Sequence, residues 1–300
     1  METVIGQQLI NALQLGSAYA LLAVGYTMVY GVLRLINFAH ADVFMIGAYI
    51  GFFIFTSLGL ASGVTAFIIC VVGAMIGAAI LAVSIERVAY RPLRNAPRLS
   101  AMITAIGVSL FLEHGSRASP IIGPQFRPYP FIVPPESIEI GGVYIPTKVG
   151  IALITSIILM IILSYIVSRT MIGKAMRASS YDKEATQLMG ISLNRIIVYT
   201  FAIGAAEAGA AGVMWAMVYP MIDPYMGMIP GIKAFVSAVV GGIGSVPGAL
   251  IGGFILGAVE TATAAFLPSM YRDAIAFSIL AVVLIFRPTG LFGIGVLEKV

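Results

Sequence analysis

The sequence is poor in charged residues and in the side chains that usually build catalytic or metal sites. Only 10% of its 300 residues are charged, against about 25% in soluble domains, so they could not cover an ordinary water-facing surface. A single cysteine, Cys70, excludes an internal disulfide and a thiolate metal cluster. The two histidines, His40 and His114, stand in no metal-binding or catalytic spacing. The net charge of +4 forms no basic face, which argues against nucleic acid as a partner.

A phosphate-binding loop is also missing. Lys174 follows Gly173, but Ser168 stands where the GxxxxGK(S/T) pattern requires its first glycine, and Ala175 stands in place of Ser or Thr. The glycine-rich stretch at 241–245 has no lysine after it and lies in an apolar segment. The sequence therefore gives no reason to expect an enzyme, a cofactor or a metal ion. It predicts that the chain cannot hydrolyse ATP by itself.

Long apolar runs fill most of the chain instead. Hydrophobic residues make up 60% of it, and the mean hydropathy is +1.02. A helix that crosses the hydrocarbon core needs about 20 mostly apolar residues. The candidate runs are 5–33, 38–58, 64–83, 101–112, 149–167, 196–219, 232–243, 249–267 and 274–286. The fourth and seventh are short, so we expect an all-α polytopic bundle of eight or nine spans, with a tilted span and a broken or re-entrant helix among the alternatives. A single transmembrane domain would cover residues 1–300.

Basic residues fall in two clusters that set the orientation. One follows the third run and the other lies between the fifth and sixth: Arg87, Arg91, Arg94 and Arg98, then Arg169, Lys174, Arg177, Lys183 and Arg195. Cytoplasmic loops carry the excess of Lys and Arg, so both clusters are predicted to be cytoplasmic. The loop 116–147 then faces outward, as does the N-terminus, which has no basic residue before Arg34. Arg287 and Lys299 favour a cytoplasmic C-terminus and hence a full crossing by 232–243.

Glycines recur at intervals of four in several runs. The sets are Gly73 with Gly77, Gly244 with Gly248 and Gly252, and Gly253 with Gly257. Small residues at this spacing let two helix backbones approach closely in a membrane. The contact is expected either within this chain or with a second subunit. The alternative is a broken helix that lines a pathway or forms a hinge, for which Gly242 and Gly244 are the candidates.

A few ionisable residues interrupt the apolar runs. Glu207 and Glu260 lie inside two of them, where a charge is costly and usually faces a cavity or a partner. Each is a candidate pathway residue, or else a paired carboxylate that fixes helix contacts. Asn37, His40 and Asp42 lie near a membrane face, where polar groups are less costly. They are candidates for the start of a helix, a hinge or the pathway.

The segment 171–196, between the fifth and sixth runs, is the most distinctive part of the sequence. Asp182 can cap a short helix over 183–189, and Gly190 can end it. Charged residues such as Glu184 alternate there with apolar ones such as Leu188, so the segment is predicted to be amphipathic. Such a helix either lies on the lipid headgroups or docks a cytoplasmic partner.

The motifs of the chain resemble those of a known family. EATQLMGI at 184–191 resembles the cytoplasmic coupling helix of ABC-importer permeases. Six further motifs, in this order along the chain, are similar to those of LivH-type permeases of high-affinity branched-chain amino acid importers. They are LGSAYAL at 15–21, INFAHAD at 36–42, MIGAY at 45–49, SIERVAYRP at 84–92, VGGIGS at 240–245 and RPTGLFG at 287–293. The resemblance spans essentially the whole chain. It is weakest in the loop 116–147, and Ala41 stands where members often have glycine.

The resemblance implies an ATP-driven importer of Leu, Ile or Val in a prokaryotic cytoplasmic (inner) membrane. It implies that ATP-driven motion reaches this chain through the coupling helix, with Arg177, Asp182, Glu184, Ala185 and Gly190 as its site residues. The implied partners are a second, LivM-like permease, two cytoplasmic ABC ATPases, an extracytoplasmic substrate-binding protein and membrane lipid. Two alternatives stay open, a urea or short-amide substrate within the same family and an ion-coupled secondary carrier that works alone.

Overall fold

The computed structural model describes residues 2–94, 96–268 and 270–293, which are mostly helical. The helices are α1 Glu2–Leu33, α2 His40–Ser57, α3 Val64–Ile85, α4 Arg98–Ala118, α5 Thr147–Arg169, α6 Met171–Tyr181, α7 Lys183–Leu188, α8 Leu193–Val218, α9 Met228–Gly241, α10 Val246–Phe266 and α11 Tyr271–Phe286. A π-helical turn, Glu86–Tyr90, and a 3₁₀ turn, Arg91–Leu93, follow α3. The strands are β1 Arg127–Pro128, β2 Ser137–Ile140, β3 Val143–Pro146 and β4 Met221–Ile222. β1 pairs with β4 and β2 with β3, both antiparallel.

Seven of the described helices, α1 to α5, α8 and α10, are long and apolar enough to cross a membrane. The predicted polytopic helical bundle is therefore confirmed. With 14 and 16 residues, α9 and α11 reach about 21 and 24 Å at 1.5 Å per residue, less than the about 30 Å of the hydrocarbon core. The helix lengths therefore support a bundle with several spans, but they do not establish the predicted count of eight or nine. The expectation that the fourth run is short is wrong, because α4 has 21 residues and polar residues at both of its ends conceal its length.

Both basic clusters lie at one end of the bundle, as the charge distribution predicts. Arg94, which follows α3, hydrogen-bonds to Asn194 at the start of α8. Arg34, which follows α1, donates to the carbonyl oxygen of Ser180 in α6 at 3.3 Å. At the opposite end, β1 in the loop 116–147 pairs with β4, which follows α8. The two basic clusters and this loop therefore lie on opposite sides of the bundle.

Small residues let α1 and α10 pack backbone to backbone in the centre of the bundle. A Cβ atom at Gly253 would lie 2.5 Å from the Cα of Ala20, and one at Gly257 would overlap the backbone of Gly16. Four more of the spaced glycines also pack inside the chain, Gly248 and Gly252 against α9, and Gly73 and Gly77 against side chains of α2. At these positions the glycine spacing serves contacts within this chain, whereas a Cβ atom at Gly244 would meet no other atom within 4 Å.

A glycine turn joins α9 to α10 and lies beside the end of α1. Gly242 and Gly244 have φ angles of +114° and +96°, a left-handed backbone that favours glycine. A Cβ atom at Gly31, near the end of α1, would lie 3.8 Å from the carbonyl oxygen of Gly244. The turn is therefore at the end of the bundle that carries the basic clusters.

The chain after α11 folds back onto the end of α9. The backbone N–H groups of Leu291 and Phe292 donate to the carbonyl oxygens of Val240 and Gly241, both at 2.9 Å. These carbonyls have no partner within the helix itself. Residues 287–293 thus lie at the end with the basic clusters, as predicted, although Lys299 lies outside the described residues. The helix α9 has 14 residues and is shorter than the hydrocarbon core is thick, so the full crossing by 232–243 stays a prediction.

Candidate functional site

The structure forms α7 with the cap and the stop that the sequence predicts. Asp182 Oδ1 accepts hydrogen bonds from the backbone N–H groups of Glu184 and Ala185, both at 3.0 Å. The helix ends at Leu188, one residue earlier than expected, and Gly190 follows with a φ of +80°. The cap and the stop both act locally. A carboxylate satisfies the free N–H groups of the first helical turn, and a glycine with a left-handed backbone ends the last turn.

The helix α7 projects from the end of the bundle. Thr186 is buried, whereas Glu184 and Gly190 are exposed. The side chains of Leu188 and Met189 are 87% and 80% exposed. Neighbouring large apolar side chains on a surface mark a site of contact with a protein or a membrane. The geometry of α7 therefore suits a docking element, and it also suits a helix that lies on lipid headgroups.

The helix α6 connects α7 to the ends of the membrane helices. The guanidinium of Arg177 donates to the carbonyl oxygens of Val167 and Ser168 at the end of α5. Gly173 packs against the same end of α5, where a Cβ atom would overlap the Val167 carbonyl group. Carbonyl groups in the last turn of a helix have no partner within it, so Arg177 satisfies them and fixes α6 to α5. The structure thus places Arg177 beneath α5, outside the capped helix that contains Glu184.

A small cavity separates α6 from the glycine turn. Residues of α1, α5, α6 and the turn line it: Thr27, Met28, Gly31, Val32, Val167, Met176, Arg177, Ser180, Gly244 and Val246. A Cβ atom at Gly244 would meet no other atom within 4 Å. The candidate hinge residue Gly244 therefore lies at the wall of this cavity, with open space beside its Cα.

Replacement of Asp182 by alanine is expected to fray α7 without unfolding the bundle. An N-cap side chain contributes about 0.5–2 kcal/mol, which is large for a helix of six residues. The backbone N–H groups of residues 184–189 should exchange with solvent several-fold faster, while those of α8 keep their protection, as hydrogen exchange would measure. Asp182→Asn keeps an accepting oxygen and should retain most of the protection. Equal hydrogen-exchange rates for the α7 backbone N–H groups in Asp182→Ala and Asp182→Asn would contradict the capping role.

Glu260 lies in a buried network that joins four helices. Its Oε1 pairs with the ammonium of Lys233 in α9 at 2.6 Å, and its Oε2 accepts a hydrogen bond from the hydroxyl of Tyr19 in α1 at 2.8 Å. Lys233 also pairs with Asp273 of α11 at 2.8 Å. The structure therefore favours the paired-carboxylate interpretation of Glu260. Sequence reasoning missed the role of Lys233, although a lysine in one apolar run and a glutamate in another are a signal for such a pair.

Asn37, His40 and Asp42 are buried at the start of α2 and face different neighbours. The hydroxyl of Tyr90 donates to Asn37 Oδ1 at 2.6 Å. The His40 ring packs edge-on against Tyr26, with 4.9 Å between the ring centroids. Asp42 faces α4. The structure thus places all three where α2 begins, one of the positions that the sequence suggests.

Glu207 is buried in α8 and is not part of the Glu260 network. It is 4% exposed, and its Oε2 has no hydrogen-bond partner among the described residues. Helical spacing places Ala211 and Met214 on the same face. Those two residues line a small cavity between α1, α5 and α8. The two glutamates identified from the sequence therefore occupy separate places in the bundle.

Comparison with known proteins gives matches over nearly the whole chain. The family model described as "Branched-chain amino acid transport system / permease component" matches residues 8–286. The high-affinity branched-chain amino acid transport system permease protein LivH of Salmonella typhimurium is 43% identical over 304 residues, 98% of this chain and 97% of that protein. The corresponding protein BraD of Pseudomonas aeruginosa is 43% identical over 301 residues, with the same coverage. A probable LivH protein of Methanocaldococcus jannaschii is 26% identical over 306 residues, 97% of this chain and 94% of that protein.

Proposed function

The chain belongs to the family of branched-chain amino acid transport system permease components, and from this premise we propose that it is the permease subunit of an ATP-driven importer of Leu, Ile or Val. The observation that supports the ATP-driven mechanism best is the capped and exposed helix α7. It projects from the end of the bundle with the basic clusters and presents two apolar side chains to its surroundings. The chain is a multi-pass membrane protein, and we place it in a prokaryotic cytoplasmic membrane.

The proposed partners follow from the two ends of the bundle. At the end with the basic clusters, α7 docks one of two ABC ATPases, which supply the energy that this chain cannot generate. At the opposite end, the loop 116–147 meets an extracytoplasmic substrate-binding protein. A second permease subunit of the LivM type completes the transporter. The helices α9 and α11, with the connecting segments, complete eight or nine membrane passages in a single domain.

The route of coupling is proposed from contacts in the structure. A displacement of α7 moves α6, which is held to α5 by Arg177 and to the end of α1 by Arg34. The glycine turn between α9 and α10 lies across the cavity from α6. Motion that begins at α7 therefore reaches α1 and α5 through direct contacts, and the turn at Gly242 and Gly244 can respond as a hinge.

Reconstitution tests the proposed function directly. Proteoliposomes that contain this chain, its second permease and the ATPases should take up L-leucine when ATP and the binding protein are present. Uptake should be absent with this chain alone under a proton or sodium gradient. Gradient-driven uptake by the chain alone would establish the secondary carrier instead. Uptake of urea or short amides in preference to leucine would show that the chain serves one of these alternative substrates and not Leu, Ile or Val.

Substitutions in α7 test the docking role. Glu184→Ala and Gly190→Val are expected to lower ATP-driven leucine uptake about tenfold or more while the complex still assembles and hydrolyses ATP. Glu184 is exposed, and the strain of valine at a φ of +80° is confined to the end of α7. Thr56→Ala removes an exposed hydroxyl at the opposite end of the bundle, which bonds only to its own helix, and should leave the ratio of ATP hydrolysed to leucine transported unchanged. Wild-type uptake by both α7 variants would show that the docking role is wrong.

A further inference from the structure

The cavity between α6 and the glycine turn has a polar group on its buried wall. Thr27 of α1 lines this cavity and is 1% exposed, and its Oγ1 has no hydrogen-bond partner among the described residues. A threonine inside a helix often bonds to the carbonyl group one turn earlier, as Thr200 of α8 does to the Ile196 carbonyl at 2.8 Å. A buried hydroxyl without a partner is unfavourable. The Thr27 hydroxyl is therefore available to an occupant of the cavity.

The rest of the buried wall is apolar. It is formed by Met28 and Val32 of α1, Met176 of α6 and Val246 of α10, each with at most 9% of its surface exposed. The cavity has an empty volume of about 380 Å³, within the range of ~300–1,000 Å³ that is typical of ligand pockets. Water in the cavity can pair with Thr27 but leaves the apolar wall wet. An occupant with an aliphatic part removes this apolar surface from water, which is favourable.

The mouth of the cavity carries a positive charge. Arg177 and Gly244 line the cavity and are exposed, so the cavity opens at the end of the bundle with the basic clusters. The Arg177 guanidinium uses two of its nitrogens on the carbonyl groups of Val167 and Ser168. It has five N–H donors, so donors remain for the carboxylate of a ligand. The hydroxyl of Ser180, which also lines the cavity, donates to the Arg177 carbonyl at 2.6 Å, and its oxygen can still accept a hydrogen bond.

We propose that this cavity binds an aliphatic amino acid from the cytoplasm, with its carboxylate on Arg177, its ammonium group on the hydroxyl oxygens of Thr27 and Ser180, and its side chain on the apolar wall. The inference rests on the proposed function, because the importer delivers Leu, Ile or Val to this side of the membrane. The cavity is thus a site at which the delivered product returns to the permease.

The position of the cavity gives the bound product an effect on transport. One wall belongs to α6, which connects α7 to α5, and the other belongs to the glycine turn between α9 and α10. A ligand stabilises the conformation that it binds. An amino acid in the cavity therefore holds α6 and the turn in the arrangement described here and slows the transport cycle. Import decreases as the product accumulates in the cytoplasm.

The test uses the complete transporter in proteoliposomes, with ATP and a chosen compound in the lumen, on the side of the basic clusters. The initial rates of radiolabelled L-leucine uptake and of ATP hydrolysis are measured with leucine-loaded binding protein outside. Lumenal L-leucine should lower both rates several-fold, whereas alanine, which lacks most of the aliphatic chain, should have little effect. Lumenal 4-methylpentanoate, which keeps the carboxylate, should inhibit more strongly than 3-methylbutylamine, which lacks it.

Thr27→Val replaces the hydroxyl by a methyl group of similar size. Because the hydroxyl has no partner among the described residues, the substitution should not lower the thermal unfolding midpoint. The lumenal leucine concentration for half-inhibition should rise about three- to tenfold, the effect of losing one hydrogen bond. Thr200→Val is the matched control, since Thr200 is equally buried but bonds within its own helix and does not line the cavity. It should leave the concentration for half-inhibition unchanged.

The order of the measurements separates this inference from the proposed function. Wild-type uptake without lumenal leucine is measured first, since its absence would refute the proposed function. Normal uptake that lumenal leucine does not slow, or equal half-inhibition concentrations for the wild type and Thr27→Val, would overturn this inference alone. Inhibition as strong by alanine as by leucine would also overturn it, because the apolar wall would then make no contribution. The analogues need no substitution, so the test remains decisive if Thr27→Val does not fold.

Discussion

Replacement of Lys233 by methionine is expected to destabilise the chain strongly. The ammonium of Lys233 and the Glu260 carboxylate are 2.6 Å apart, with side chains only 7% and 6% exposed. Removing one member of a buried ion pair leaves the other charge without compensation and costs about 3–5 kcal/mol. The thermal unfolding midpoint of the purified variant in detergent should fall well below that of the wild type, and the yield of folded protein should drop.

Two further variants separate the buried pair from its exposed neighbour. The double variant Lys233→Met with Glu260→Gln removes both charges and should recover part of the lost stability, since an uncharged replacement of a buried pair is often nearly neutral. Asp273→Asn should change stability by only about 0–1 kcal/mol, because the Asp273 side chain is 55% exposed. A loss as large in Asp273→Asn as in Lys233→Met would mean that the exposed pair, and not the buried one, holds α9 in place.

Replacement of Gly257 by valine is expected to prevent the normal packing of α1 on α10. A Cβ atom at Gly257 would overlap the backbone of Gly16, and backbone cannot move aside as a flexible side chain can. Overpacking in a protein interior typically costs about 1–3 kcal/mol, and more where no neighbour can yield. Since α1 is the central helix of the bundle, we expect little monodisperse protein after size-exclusion chromatography.

Gly107 of α4 offers a matched control for this substitution. It is also a glycine inside a membrane helix, but a Cβ atom there would meet no other atom within 4 Å. Gly107→Val should therefore give a folded yield close to that of the wild type. Equal yields from the two variants would show that the α1–α10 contact tolerates separation and that the close approach is not required.

The parts of the fold that depend on local sequence could be predicted. Asp182 and Gly190 predict the two ends of α7 to within one residue, because a capping carboxylate and a left-handed glycine each act only on the nearest helical turn. The location of both basic clusters at one end of the bundle was also predictable, since the charge of a loop does not depend on how the helices pack.

The parts that depend on packing could not be predicted. Lys233 and Glu260 are 27 residues apart in sequence, and Tyr19 is 241 residues from Glu260, so no local pattern links them. The return of Leu291 and Phe292 to the carbonyl groups at the end of α9 could not be predicted either, because the two segments are far apart in sequence. Likewise, the family resemblance implies that Arg177 belongs to the coupling helix but does not indicate that its guanidinium reaches back to α5.

The return of residues 287–293 to the end of α9 has a consequence for how the protein is made. The helix α9 enters the membrane before the segment that satisfies its last carbonyl groups has left the ribosome. The Val240 and Gly241 carbonyls therefore have only water as a partner until Leu291 and Phe292 are synthesised. Completion of this region is thus a late event in biogenesis. A chain that terminates before Leu291 would present quality-control proteases with an unfinished helix end, even though every long membrane helix had been inserted.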